Sequence, residues 1–148
     1  MTGSCICGQI TYEYSGEPLT CFTCNCTNCR KTTGGAFNYT MLVHERDLQI
    51  TRGEVSVVER DLGLRGSKRL KHYCGSCSAP IWYSTDSVPN IAVFKPGTLD
   101  DYSWAKPVAH VWMSSALPWV AFNDDAPQYD DEGPGFEELI ELWQKRKT

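Results

Sequence analysis

Eight cysteines stand at 5, 7, 21, 24, 26, 29, 74 and 77, and their spacing is the chemistry-bearing feature of this chain. Cys5-Ile6-Cys7 is a C-x-C pair, Cys74-Gly75-Ser76-Cys77 is C-x2-C, and Cys24 to Cys29 reads C-x-C-x2-C. Close pairs of this kind suit thiolates converging on one ion. A C-x-C pair is awkward as an internal disulfide, because that bond needs a specific torsion. Met1 to Cys5 carries no basic residue and no apolar stretch, so a cytoplasmic, reducing setting is expected, where clustered cysteines are more often metal ligands than disulfides. Zinc is the expected metal, since thiolate-rich tetrahedral sites select it.

Spacing alone leaves the grouping of ligands open. One arrangement joins Cys5 and Cys7 to Cys74 and Cys77 as a closed four-thiolate site, which is normally structural and contributes folding energy. Cys24, Cys26 and Cys29 then form a second group. Three protein ligands with a fourth position open is the pattern of a catalytic zinc. However, Cys21-Phe22-Thr23-Cys24 is itself C-x2-C. If Cys21 ligates, the second site closes and becomes structural as well.

Short strands with turn signals between them must carry these knuckles. Gln9–Tyr14 alternates, with Ile10, Tyr12 and Tyr14 facing inward. Leu19–Thr23 leads into the knuckle at Cys24. Arg30–Gly35 is a turn or a single helical turn ending at glycine, and Ala36–Val43 is a strand. Leu48–Thr51 and Val55–Arg60 form an expected hairpin around Arg52-Gly53. Lys68–Tyr73 enters the last knuckle and Ile81–Ser84 leaves it. Ile91–Phe94, Val108–Met113 and Trp119–Phe122 are further strands. One helix is expected near the C-terminus, where Phe136, Leu139, Ile140 and Trp143 share a face, Gly133-Pro134 opens it, and Lys145, Arg146 and Lys147 close it. Asp124–Glu132 reads as a solvated acidic loop.

Composition sets outer limits. With 11% aromatic residues and 22% charged ones, the chain is not of the disordered type. No apolar run is long enough to span a membrane. A net charge of −4 argues against nucleic-acid binding. The basic group Arg60, Arg65, Lys68, Arg69 and Lys71 is broken by Asp61 and flanked by Glu59, and reads as a solvated strand face. Residues 1–148 are expected to be a single zinc-binding domain.

Together the motifs resemble the glutathione-dependent formaldehyde-activating enzyme family, which also contains centromere protein V. Gly3-Ser4-Cys5-Ile6-Cys7-Gly8 before an alternating strand resembles its start. Cys24-Asn25-Cys26-Thr27-Asn28-Cys29-Arg30-Lys31, with Gly34 and Phe37 behind, resembles its central block. Cys74-Gly75-Ser76-Cys77 followed by Ala79-Pro80 resembles its third block, and His110-Val111-Trp112 through Leu117-Pro118-Trp119 its late H-x-W segment. The resemblance covers about residues 3 to 127. It implies a mainly β fold of the β-tent type, with twisted antiparallel sheets. It implies two zinc ions per chain: a structural one on Cys5, Cys7, Cys74 and Cys77, and a second on Cys24, Cys26 and Cys29 with a place open to water or a thiol. The implied activity is that of an S-(hydroxymethyl)glutathione synthase, a carbon–sulfur lyase. Two positions depart from the family pattern. Cys21 is an additional thiol, and Ser78 follows Cys77 where glycine is common and would ease a tight turn.

Under this reading the partners are a small thiol such as glutathione and a small aldehyde such as formaldehyde. Arg30 and Lys31, directly after Cys29, are placed to attract the tripeptide's carboxylates. His110 is a candidate proton carrier or spare ligand, and its simpler role is to hold a loop or strand by hydrogen bonds. His72 lies two residues before a cysteine ligand and could support it. Trp112 and Trp119 could wall a pocket, with core packing the commoner fate. His44 is expected at a turn surface. The alternative is a non-catalytic two-zinc structural module that binds a protein partner. It expects Cys21 to close the second site and a sizeable exposed apolar patch.

Overall fold

The computed structural model describes residues 1–61 and 68–146, with the Asp61 side chain not included. Arg65 of the basic group and Lys147 of the helix end lie outside the described residues. The chain divides into two compact units interleaved in sequence. One comprises Met1–Pro18 and Met41–Trp104, the other Leu19–Thr40 and everything from Ala105. The described residues are mostly β, with one short helix and one C-terminal helix.

In the first unit, β1 (Thr2–Ser4), β2 (Thr11–Tyr14) and β5 (Leu48–Arg52) form a three-stranded antiparallel sheet in the order β1-β2-β5. The alternation of β2 holds: Ile10, Tyr12 and Tyr14 are buried. Tyr12 packs edge-on to Phe94, with ring centroids 5.3 Å apart, and its hydroxyl bonds to that of Thr98 at 2.8 Å. Gly3 is required beside it, because a Cβ there would overlap the Tyr12 hydroxyl and the Thr98 carbonyl.

The same unit holds the far part of β4 (Asn38–His44), followed in antiparallel order by β9 (Ile91–Phe94), β8 (Pro80–Thr85), β7 (Lys68–Cys74) and β6 (Val55–Asp61). Thus β5 and β6 are not a hairpin. Tyr12 pairs with Ile50 in one sheet, and Val57 pairs with His72 in the other. The reason lies at Gly53. Its φ of +80°, and its approach to the Gln9 carbonyl where a Cβ would overlap, carry the chain onward instead of back. His72 stacks on Trp82 at 4.2 Å and pairs with the Ser84 hydroxyl at 2.9 Å, so its visible work is to hold β7 to β8. His44 is half-buried at the end of β4.

In the second unit, β3 (Thr20–Cys24) lies between β10 (His110–Val111) and β4. The pairing with β10 is parallel and matches His110 with Thr23 and Val111 with Cys24. The expected strand over 108–113 is reduced to these two residues. Trp112 takes a left-handed φ of +59°, and Met113–Ser115 turns as a 3-10 helix. Trp119–Phe122 is not a strand either, for Val120 N–H closes a turn onto the Leu117 carbonyl. The acidic segment is tied down rather than free. His110 N–H donates to Pro127 O at 2.9 Å, Tyr129 N–H to His110 O at 2.8 Å, and Trp112 N–H to Asp131 O at 2.6 Å.

Helix α2 (Phe136–Lys145) buries Leu139 and Trp143. The Thr20 hydroxyl donates to the Leu139 carbonyl at 2.8 Å, fixing the helix on β3. Phe136, at the first position of the helix, remains 51% exposed despite sharing the apolar spacing. No helix among the described residues is long and apolar enough to cross a membrane.

Candidate metal centres

Cys5, Cys7, Cys74 and Cys77 converge in the first unit, with all four sulfur atoms within 4.8 Å of one another. Two tight turns bring them there. Gly8 N–H returns to Cys5 O at 2.9 Å, and Ser78 N–H returns to Cys74 O at 2.8 Å. Each turn ends on a left-handed residue, Gly8 at φ +72° and Ser78 at φ +62°. Ser78 therefore occupies, with a side chain, the conformation in which glycine is easiest. The Ser76 hydroxyl donates to Gln9 Oε1 at 2.6 Å and links the two turns.

The sulfur spacing suits one tetrahedral ion. Cys5 and Cys7 sulfurs are 3.5 Å apart, and those of Cys7 and Cys74 are 3.7 Å apart. Zinc–sulfur bonds of about 2.3 Å in a tetrahedron place sulfurs about 3.8 Å apart. These distances are far from disulfide bonding. The thiols also polarise one another. Burial opposes ionisation of Cys5, yet the Ile10 N–H, 3.3 Å from its sulfur, and the neighbouring thiols bring it down to about 6. For Cys7 the Gln9 N–H favours the thiolate, but Cys5 and the remaining neighbours push it up to about 12. Four thiolates at this spacing repel one another, and a cation among them would favour the ionised form of all four.

The second group is Cys24, Cys26 and Cys29, again within 4.8 Å. Cys24 ends β3. Cys26 is the N-cap of helix α1 (Thr27–Thr33), its sulfur accepting from Cys29 N–H at 3.4 Å. Cys29 lies in the first turn, so both sulfurs sit where the helix dipole favours negative charge. The helix closes on Gly34 at φ +70°, so the expected helical turn is present and begins earlier, at Thr27. Hydrogen bonding with Cys29 and burial push the Cys24 thiol well above the ordinary range. Asn38 Nδ2 lies 3.8 Å from Cys29 Sγ. This donor set also fits a thiophilic metal such as zinc, with fewer protein ligands.

Cys21 does not join this group. It is fully buried, its thiol donates to Ala105 O at 3.4 Å, and burial pushes it up to about 12. The physical reason is the strand period. Residues 21 and 24 are an odd number apart along β3, so their side chains leave opposite faces. Of the two arrangements that spacing leaves open, with Cys21 in the group or outside it, the structure holds Cys21 apart from the other three sulfurs.

Arg30 and Lys31 lie in α1 behind Cys29, Arg30 half-buried and Lys31 exposed. His110 is not placed to touch a substrate. It is 0% exposed and both ring nitrogens are engaged. Nδ1 lies 2.7 Å from Thr23 Oγ1, and Nε2 lies 2.9 Å from Asp124 Oδ1. Its role is the simpler one, holding strand to loop. Facing a carboxylate, Nε2 carries a proton, so in the neutral ring Nδ1 accepts from the Thr23 hydroxyl. The carboxylate–imidazole–hydroxyl order is that of a hydrolytic triad, but Thr23 is only 2% exposed and offers no nucleophile to a substrate. Trp112 is half-buried and Trp119 is 73% exposed, so neither takes the expected core place.

Sequence reasoning missed Thr23, Asn25 and Asp124. Asn25 is fully buried between two cysteines of the second group, and its Nδ2 donates to Val111 O at 3.0 Å. Its position inside the C-x-C spacing was the available signal. The His110 interaction and the Ala126 N–H hold the Asp124 carboxyl below the usual carboxylate range, against the opposing effect of burial.

A mostly β scaffold thus carries two converging cysteine groups, each able to hold a metal ion. The model of the family described as glutathione-dependent formaldehyde-activating enzyme matches residues 1–115, and the chain belongs to that family. The family is characterised by glutathione-dependent enzymes acting on formaldehyde. The match includes both cysteine groups, His110 and Trp112, and ends before Asp124 and α2. A crystal structure of a Rhodobacter sphaeroides protein is similar in fold, with 22% identity and a TM-score of 0.52, covering 68% of this chain and 88% of that one. No curated protein is significantly similar in sequence.

Proposed function

We propose that this chain is a zinc-dependent carbon–sulfur lyase of the S-(hydroxymethyl)glutathione synthase type, joining glutathione to formaldehyde or a related small aldehyde. The observation that carries the reading is the second cysteine group, which has three members rather than four. A zinc ion held by Cys24, Cys26 and Cys29 would keep an added thiol deprotonated near neutral pH and act as Lewis acid and template. Cys5, Cys7, Cys74 and Cys77 would hold a second, structural zinc, so that residues 1–148 work as one zinc-binding domain.

The chain's own residues would bind and orient. Arg30 and Lys31 supply positive charge directly after Cys29 for the carboxylates of the tripeptide, and Trp112 offers an apolar surface. Orientation of the aldehyde carbon beside the sulfur turns a two-body encounter into a directed one. In the reaction the sulfur bonds to the aldehyde carbon, the carbonyl π pair moves to oxygen, and that oxygen takes a proton from solvent. The reverse step releases thiol and aldehyde.

The non-catalytic alternative depends on a closed second site, and the separation of Cys21 from the other three thiols counts against it. The test is a cobalt-loaded protein titrated with glutathione, followed by formaldehyde exchange measured by NMR. A saturable change in one cobalt's thiolate absorption, with faster exchange than buffer and loss of both in Cys26→Ser, is expected. No spectral change at millimolar glutathione would overturn the reading.

A further inference from the structure

Cys24 owes its position to the end of β3, and that end is held from one side by a chain of polar contacts. Thr23 precedes Cys24, and its hydroxyl lies 2.7 Å from His110 Nδ1. His110 Nε2 lies 2.9 Å from Asp124 Oδ1 and 3.2 Å from Oδ2. Val111, the β10 partner of Cys24, accepts from both the backbone and the side chain of Asn25, each at 3.0 Å. The residues on either side of Cys24 are therefore both anchored to the dipeptide His110-Val111.

The acidic segment anchors that dipeptide in turn. Asp124 Oδ1 also accepts from Ala126 N–H at 3.2 Å, which fixes the carboxylate in a local turn. Phe122 stacks on the imidazole with centroids 3.7 Å apart. Gly133, at φ +74°, packs where a Cβ would come within 2.9 Å of Val111 Cγ1. Phe122, Asp124, Ala126 and Gly133 lie beyond the residues matched by the family model, 1–115. The segment thus adds to this chain a support that the shared motifs do not contain.

We propose that Asp124 is a positioning residue for the Cys24 limb of the three-cysteine metal centre, acting through His110 and Thr23. This rests on the reading of Cys24, Cys26 and Cys29 as a metal centre. The Asp124 side chain is 49% exposed while that of His110 is 0% exposed. Truncation at 124 alone would let water reach Nε2–H, so the informative change is one that fills the space without an acceptor. Groups bonded directly to a metal ligand typically alter metal affinity 10–100-fold, and Asp124, acting through two intervening residues, belongs at the low end of that range.

The experiment compares wild type, Asp124→Leu and Asp124→Asn, each loaded with cobalt and then competed with a chelator. Cys26→Ser assigns the absorption bands of the second centre. Asp124→Leu should weaken the second centre at least about tenfold and shift its thiolate–cobalt band, leaving the first centre unchanged. Asp124→Asn, whose amide oxygen can still accept from Nε2–H, should restore both. Should Asp124→Leu fail to fold, Asp124→Val, which also fills the space without offering an acceptor, is read in the same way. Unchanged affinity and spectrum at the second centre, or an equal loss at both centres, would overturn the proposal. A wild type that binds a single cobalt would instead overturn the metal reading on which it rests.

Discussion

Replacing Cys77 by serine tests whether the four-cysteine group acts as a clip on the fold. Cys7 and Cys74 are 67 positions apart. Closing a loop of that length removes about 4 kcal/mol of chain entropy from the unfolded state, by the logarithmic rule used for cross-links. That is a large part of the roughly 5–15 kcal/mol that stabilises an ordinary domain. Cys77 is the better target because Cys5 and Cys74 are 2% and 1% exposed, and their replacement would also disturb packing. A three-thiolate remnant holds zinc less tightly, so with free zinc buffered low the variant should lose the clip while wild type keeps it. Denaturant unfolding in that buffer should show a deficit of about 4 kcal/mol, with a fall in melting temperature of roughly 10 °C. Excess chelator should bring wild type down to the variant and change the variant little. A Cys77→Ser protein that holds both metals and unfolds within about 1 kcal/mol of wild type would refute the cross-link argument.

Ser78→Gly should stabilise the protein by about 0.5–1 kcal/mol in thermal melts, because relief at φ +62° exceeds the added freedom of the unfolded glycine, whereas Ser78→Ala should gain nothing. Gly3→Ala should cost about 2 kcal/mol or more in the same assay, since its Cβ overlaps the Tyr12 hydroxyl and the Thr98 carbonyl. Cys21→Ala should retain full metal content by elemental analysis while losing about 1 kcal/mol from a filled, hydrogen-bonded core position.

Much of the site was legible because its chemistry is local. C-x-C-x2-C places three sulfurs within one strand end and one helical turn, and thiol side chains so grouped suit a thiophilic metal. Ser78 stood out through the family resemblance, in which glycine is common at that place, and its φ of +62° is the conformation glycine adopts most easily. Cys21 was ambiguous for a related reason: C-x2-C is a knuckle when the chain turns and a two-faced pair when it runs straight. Only the continuation of β3 through Cys24 decides between them.

The misread elements share a different cause. Leu48–Arg52 and Val55–Asp61 are both good strands around a glycine, and periodicity says which residues face a core without saying which strand they pair with. Gly53 resolves it through a close approach to Gln9, some forty positions earlier. Asp124 lies in an exposed acidic loop, as five acids without a base suggest, and its side chain is itself 49% exposed, but the local rule is silent on its partner. Its carboxylate answers a need set elsewhere, for a buried imidazole on β10 requires an acceptor that only a tertiary path can deliver. A histidine in a segment that buries both its neighbours is therefore a reason to search downstream acids for a partner, before assigning those acids to solvent.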